Sequence, residues 1–239
     1  MNNEIKGYYC KKKKTLLKDF DQTIVLMKNA QKHSEIITDA VQNELILEYE
    51  KIIPEIPYFK GYRQGMFNSM LIITSQVLSA YRVFKNYDKR PDEVWEICHT
   101  ALLLRLQQIP FRKKWLINKL WNTLFRAVFI RRAQRNVKET LGNFELEYIK
   151  GNGESFDYGI NYTKCGHHKF LKDQGAEEMF PYVCLADISL SDAFGWGLTR
   201  TQTIGDRCTY CDFRFKKGSA TKITSKTPEV QKMIDKLTF

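Results

Sequence analysis

Residues 143–150 read NFELEYIK and mark the point where the chain changes from a helical to a strand-forming pattern. Apolar Phe144, Leu146 and Tyr148 alternate with charged glutamates, which is the period of a β-strand with one buried face. Residues 156–163, FDYGINYT, alternate in the same way after the turn sequence KGNGES. The two stretches therefore predict a β-hairpin.

The rest of the chain places helices before this hairpin and mixed elements after it. Upstream, apolar residues recur at helical spacing between proline and glycine breaks. The predicted upstream helices span residues 12–30, 34–47 (with Ser34 as N-cap), 67–84, 91–108 and 112–139. The predicted downstream elements are a helix at 177–194, two strands at 197–204 and 210–217, and a helix at 228–237.

These elements predict an α+β fold of two regions. A helical N-terminal region, residues 1–141, is expected to pack on a small antiparallel sheet with one or two helices in residues 142–239. Nearly all the reactive side chains lie in the second region. We therefore expect that region to carry the active site.

Composition narrows the class of protein. With 43% hydrophobic and 13% aromatic residues, the chain is too apolar to be disordered. No apolar run approaches the roughly 18–20 residues of a membrane span, and residues 1–14, MNNEIKGYYCKKKK, lack a signal-peptide core. We therefore expect a cytoplasmic protein with reduced cysteines, a small-molecule substrate and no membrane association. A homo-oligomer is compatible with the sequence.

The net charge of +11 is unevenly distributed along the chain. Residues 97–138 contain no acidic side chain, and nine basic side chains crowd residues 112–138: Arg112, Lys113, Lys114, Lys119, Arg126, Arg131, Arg132, Arg135 and Lys138. A polyanion-binding face is one interpretation, and a solvated helical face is the other. Because no nucleic-acid motif accompanies the patch, the second interpretation is favoured and nucleic-acid binding is disfavoured.

Two pairs of residues have the spacing of metal ligands. Cys165-x-x-His168 and Cys208-x-x-Cys211 together supply the four ligands of a tetrahedral zinc site. More residues separate the two pairs than in compact zinc fingers. We therefore keep a zinc site as the alternative interpretation of these residues, and we expect no other cofactor. A thioredoxin-type dithiol is disfavoured, because Cys208 and Cys211 open a strand and not a helix.

A thiol-containing pocket is the other interpretation of the cysteines. Cys184 and Asp187 lie three apart in a predicted helix and share a face, which would meet the strand that carries Cys211. An acid, a base and a polarisable nucleophile in an apolar cleft suit hydrolysis of a C–N or C–S bond. For each single cysteine, a buried small apolar side chain is the competing interpretation.

Residues 156–217 resemble the L-2-amino-thiazoline-4-carboxylic acid hydrolase family. The resemblance rests on the motifs D-[FY]-G…Y-T-x-C, P-Y-x-C-x-x-D and C-D-F-R-[FY]. Upstream, EIPYFKGYRQG resembles the family's I-P-Y-x-G-G segment, although the paired glycines are absent here. The resemblance extends from about Pro54 to Lys217 and is weakest across the basic stretch.

The resemblance implies the activity and the site. Family members open the ring of a 2-aminothiazoline carboxylate to N-carbamoyl-cysteine, so we expect a hydrolase acting on non-peptide C–N bonds of a cyclic amidine or related substrate. The matching catalytic positions are Cys165, Cys184, Asp187, Cys211 and Asp212. The expected substrate-binding residues are Arg200, Arg214 and His168. A non-catalytic small-molecule or metal-binding sensor with Cys and His ligands is the alternative.

Overall fold

The computed structural model describes residues 4–30 and 35–237 of the chain. Its α-helices are α1 (Lys13–Asn29), α2 (Asp39–Ile52), α3 (Gly65–Lys85), α4 (Pro91–Gln108), α5 (Phe111–Leu120), α6 (Arg126–Gln134), α7 (Gly166–Asp173), α8 (Phe180–Val183), α9 (Ala186–Phe194) and α10 (Pro228–Leu237). Its strands are β1 (Glu4–Ile5), β2 (Tyr58–Phe59), β3 (Lys138–Leu141), β4 (Phe144–Lys150), β5 (Tyr158–Lys164), β6 (Leu198–Arg200), β7 (Cys211–Phe215) and β8 (Lys222–Ile223). These elements confirm the predicted α+β class. Within the described residues, no helix is both long and apolar enough to cross a membrane.

The main sheet has the strand order β3-β4-β5-β7-β6-β8. The predicted hairpin is present as β4 and β5, and the second predicted pair is present as β6 and β7, both antiparallel. The sheet is mixed and not purely antiparallel as predicted, because β8 pairs with β6 in parallel.

The chain forms two compact units. Unit 1 comprises Met1–Arg105 and Gly166–Val183, and unit 2 comprises Leu106–Cys165 and Cys184–Phe239. Unit 2 thus contains the basic helices as well as the sheet. The functional partition at residues 141 and 142 stays a prediction.

Unit 1 is built around helices α1 to α3. Helix α2 begins at Asp39 with Thr38 as its N-cap, whose hydroxyl accepts from the backbone N–H of Val41 at 3.3 Å. The predicted N-cap Ser34 lies outside the described residues. Phe20 and Tyr49 are fully buried and their rings lie 4.7 Å apart, so they join α1 to α2 in the core.

Unit 2 packs helices on one face of its sheet. Phe129 of α6 contacts the rings of Tyr148 and Tyr158, with centroids 6.1 Å and 5.3 Å apart. Trp121, just before α6, contacts Trp196 at 4.8 Å and Phe215 at 5.9 Å. This aromatic layer covers the face on which alternate residues of β4, β5 and β7 are buried.

Three predicted helices differ from the structure. The helix predicted at 34–47 is α2, Asp39–Ile52, which begins and ends about five residues later. The helix predicted at 112–139 is interrupted by a π-helical segment, Trp121–Phe125, and ends at Gln134. Asn136 then adopts a left-handed conformation, φ 47°, and the chain enters β3. The helix predicted at 177–194 is broken into a 3₁₀ turn, α8 and α9. Helix α7 and strands β1, β2, β3 and β8 are not predicted from the sequence.

Candidate active site

Strand register determines which side chains of β5 and β7 share a face. Tyr162 lies opposite Cys211, and Ile160 lies opposite Phe213. Because side chains alternate along a strand, Cys211, Phe213 and Phe215 point to the covered face of the sheet. The Arg200 guanidinium lies 5.5 Å from the Phe213 ring, which places it on that face as well.

A buried ion pair between Arg200 and Asp187 forms the centre of the site. The Arg200 side chain is only 2% exposed and that of Asp187 is 16% exposed. Arg200 Nη1 donates to the Asp187 carboxylate and, at 3.1 Å, to the backbone carbonyl of Cys184. Burial raises the pKa of Asp187, and the Arg200 charge opposes that rise. Asp187 is therefore a stronger base than an exposed carboxylate.

Cys184 lies in the turn between α8 and α9, where its carbonyl accepts from Arg200. The same turn places Asp187 in the first turn of α9. Burial raises the pKa of the Cys184 thiol well above its usual value; Arg200 lowers it, and Cys211, Cys165 and Asp187 raise it further. The Cys184 sulfur is therefore a neutral thiol at physiological pH.

Cys211 opens β7 and is 5% exposed. Its sulfur accepts a hydrogen bond from the backbone N–H of Ile204 at 3.3 Å. Burial raises the pKa of Cys211 to about 11, against the smaller lowering effects of that hydrogen bond and of Arg200. Cys211, like Cys184, is therefore protonated at neutral pH.

We call Cys165, Cys184, Asp187, Arg200 and Cys211 the thiol–carboxylate cluster. Cys165 follows directly after β5 and acts electrostatically on the Cys184 thiol. All five residues belong to unit 2. The structure thus brings together four of the five predicted catalytic residues with one predicted substrate-binding arginine.

Tyr162 is a further member of this environment that sequence reasoning did not single out. Burial raises its pKa well above the usual value, and Asp187, Cys165 and Cys211 add to that rise. Its ring contacts that of Phe213 at 5.0 Å, edge to face. The Y-T-x-C motif contains Tyr162, but only the register with Cys211 reveals its position.

Asp212 and Arg214 point to the opposite face of β7 from Cys211. The Asp212 carboxylate accepts from the backbone N–H groups of Thr201 and Gln202, each at 2.8 Å, and from the Thr201 hydroxyl at 2.6 Å. Arg214 Nη1 donates to Asn161 Oδ1 at 2.9 Å. Both side chains thus hold neighbouring chain segments in place, outside the cluster.

The remaining predicted residues have other local partners. His168, in unit 1, has its Nε2 at 2.7 Å from Glu177 Oε1 and its ring against Phe180. Cys208 lies in a loop of unit 2, with its sulfur 3.9 Å from the Asp206 carbonyl. All six cysteines lie in the described part of the chain and carry free thiols.

The described residues contain no group of three or more His, Cys, Asp or Glu side chains placed to hold a metal ion. Cys165, His168, Cys208 and Cys211, the ligands of the alternative zinc site, therefore do not lie together in a metal-binding arrangement. Whether the protein uses zinc stays a prediction for a metal assay.

A cleft of about 370 Å³ lies in unit 1, apart from the residues predicted to be catalytic. Its lining residues are Glu48, Tyr81, Arg82, Val83, Lys85, Asn86 and Gly175. Arg82 is paired with Glu48 at 3.1 Å, and Lys85 with Glu178 at 3.2 Å. None of the residues predicted to be catalytic lines this cleft, so it offers a weaker case for catalysis than the cluster.

Comparison with known proteins identifies a family. A family model described as L-2-amino-thiazoline-4-carboxylic acid hydrolase matches residues 72–215, which is more than half of the chain and includes the whole thiol–carboxylate cluster. The chain matches no curated protein and no solved structure.

Proposed function

The chain belongs to the L-2-amino-thiazoline-4-carboxylic acid hydrolase family, and on that premise we propose that it hydrolyses a small cyclic amidine carboxylate. The first candidate substrate is 2-aminothiazoline-4-carboxylate. The observation that supports this proposal best is the buried Asp187–Arg200 pair beside two neutral thiols. The site is largely shielded from solvent and contains a carboxylate base and two weak proton donors. These groups suit the attack of water on an amidine ring, whether that ring is neutral or protonated.

The substrate ring contains one electrophilic carbon, bonded to the ring sulfur and to two nitrogens. Protonation of the amidine makes this carbon more electrophilic. Water adds to it, forming a C–O bond, and the ring C–S bond then breaks. The departing sulfur takes up a proton, so one water yields N-carbamoyl-cysteine without any other reactant.

Asp187 is the proposed base for the attacking water. Burial raises the pKa of its carboxyl group, which makes it better suited to accept a proton. The proton that Asp187 gains is the one that the departing sulfur needs. Arg200 acts as a positioning residue, because its guanidinium already binds the Asp187 carboxylate.

Cys184 and Cys211 are proposed hydrogen-bond donors to the sulfur and oxygen that gain charge. Nucleophilic attack by either sulfur would first require deprotonation of its thiol. Burial raises the pKa of both thiols and so disfavours this step. The protonated forms therefore favour a donor role over a covalent intermediate. A carboxylate clamp by Arg200 or Arg214, and substrate binding by His168, stay predictions.

Turnover of a panel of thiazoline carboxylates, hydantoins and cyclic amides tests the proposal. Equal amounts of new free thiol and ureido product are expected from 2-aminothiazoline-4-carboxylate. Release of ammonia without thiol would instead indicate cleavage of the exocyclic C–N bond. Absence of turnover across the panel would contradict the proposal.

The matched variants are Cys184→Ala and Cys208→Ala. Loss of the Cys184 donor should lower kcat by about 10²-fold, the usual order for one donor to a developing charge. Cys208→Ala should leave kcat unchanged, because Cys208 lies against the Asp206 carbonyl. Stoichiometric zinc that is lost in Cys208→Ala would favour the sensor alternative.

A further inference from the structure

A helical surface of unit 2 is both apolar and exposed. In the described chain, neither α5 nor the π-helical segment after it contains a buried residue. Six large apolar side chains there are 41–80% exposed. They are Phe111, Trp115, Leu116, Leu120, Leu124 and Phe125. We call these residues, with Arg112, Lys113 and Lys119, the basic apolar surface.

The opposite side of α5 and of the π-helical segment after it is anchored within unit 2. Asn118 Nδ2 donates to the Phe194 carbonyl at 2.8 Å, and Asn122 donates to the Gly195 carbonyl at 3.3 Å. Trp121 stacks on Trp196 at 4.8 Å. These contacts pack the helix against the rest of unit 2. Its apolar side chains are therefore exposed although the helix itself is part of the folded unit.

The apolar side chains are arranged as an interfacial helix requires. Leu116, Leu120 and Leu124 recur every fourth residue, which is the spacing of one helical stripe. Trp115 lies at the edge, with the Lys119 ammonium 4.9 Å from its ring centroid. Such helices bury an apolar stripe in the headgroup region while lysine and arginine side chains reach the headgroups.

Charge indicates which partner covers this surface. Residues 97–138 contain no acidic side chain to pair with a second copy of the same surface, so a symmetric dimer would bring like charges together. Nucleic acid would complement the charge but would leave the leucine stripe in water. An anionic bilayer complements both features.

We propose that the basic apolar surface binds the protein peripherally to anionic membranes. This proposal differs from the sequence-based expectation of no membrane association, and it requires no membrane-spanning helix. It is independent of the hydrolase proposal, since no residue of the thiol–carboxylate cluster takes part.

Vesicle co-sedimentation of the full chain tests the proposal. Vesicles of phosphatidylcholine alone are compared with vesicles that contain 30% phosphatidylserine, about a typical anionic fraction, at low and high salt. We expect binding only to the anionic vesicles, and weaker binding at high salt. The triple variant L116Q/L120Q/L124Q should lower the partition coefficient about tenfold or more, because it removes the apolar stripe.

Charge variants separate this surface from general basicity. R112Q/K113Q/K119Q should also lower partitioning about tenfold or more. The matched control K11Q/K12Q/K14Q removes three exposed lysines from unit 1 and should leave most of the binding. Leu47→Gln, at a 57% exposed position in unit 1, is the apolar control.

Three outcomes would overturn the proposal. The first is equal binding to neutral and anionic vesicles, or equal loss in the control variants. The second is a dimer that the leucine variant converts to monomer, with no vesicle binding by the parent. The third is salt-dependent binding to DNA or RNA that survives the leucine substitutions, again without vesicle binding.

Discussion

Replacing Arg200 with methionine removes the positive charge beside Asp187 while keeping much of the side-chain volume. Arg200 is 2% exposed and Asp187 is 16% exposed, so water cannot fully replace the lost counter-charge. The substitution also removes the donor to the Cys184 carbonyl. Breaking a buried pair from one side typically costs about 3–5 kcal/mol of unfolding free energy, and we expect a loss of that order.

The pH dependence of this loss identifies its cause. Burial already raises the pKa of Asp187, and Arg200 lowers it. Without Arg200 that pKa rises further, so the folded protein favours protonated Asp187. A raised folded pKa stabilises the fold below the unfolded pKa, and this contribution is lost as pH rises through the folded value. The loss caused by Arg200→Met should therefore be largest near neutral pH and smaller toward pH 4.

Urea unfolding, followed by tryptophan fluorescence, measures these differences. The double variant D187N/R200M should be less destabilised than R200M, because it lacks the unpaired carboxylate. The control Lys164→Met removes an exposed partner of Glu145 and should cost at most about 1 kcal/mol. A loss that is independent of pH and unrelieved by Asp187→Asn would refute the reasoning.

Further outcomes concern packing and acid stability. Gly159→Ala should cost about 1–3 kcal/mol in urea unfolding, since its Cβ would lie 2.9 Å from Arg214 Cδ, whereas Gly65→Ala meets no neighbour and should not destabilise. Burial lowers the pKa values of His99 and His167 to about 4, so stability should fall as pH drops from 6.5 toward 4. His167→Gln should make the loss of unfolding free energy between pH 6.5 and pH 4 smaller by roughly 3 kcal/mol. A variant with the same pH profile as the parent would contradict this expectation.

Local patterns in the sequence predict much of the sheet. Alternation alone places Cys211 with Phe213 and Phe215, and it also assigns Asp212 and Arg214 to the other face. The sequence-based site grouped Cys211, Asp212 and Arg214 together, whereas period-two alternation separates Cys211 from the other two. The signal for this distinction is therefore present in the sequence.

Tertiary contacts determine the structural features that local sequence patterns do not predict. At the helix break, Arg200, which is sixteen residues away in the sequence, donates to the Cys184 carbonyl at 3.1 Å. Leu185, beside the break, is fully buried. Strand register likewise places Tyr162 opposite Cys211, and no periodicity in either strand specifies that register.

The most direct test compares Asp187→Asn with Asp212→Asn in thiol release from 2-aminothiazoline-4-carboxylate. Asp187 belongs to the cluster and is the proposed base, so its loss should lower kcat by about 10²- to 10⁴-fold. Asp212 holds the backbone of Thr201 and Gln202 on the opposite face, so its loss should lower stability while the folded enzyme keeps its kcat. Full turnover in Asp187→Asn, or loss of turnover in folded Asp212→Asn alone, would contradict the proposed site.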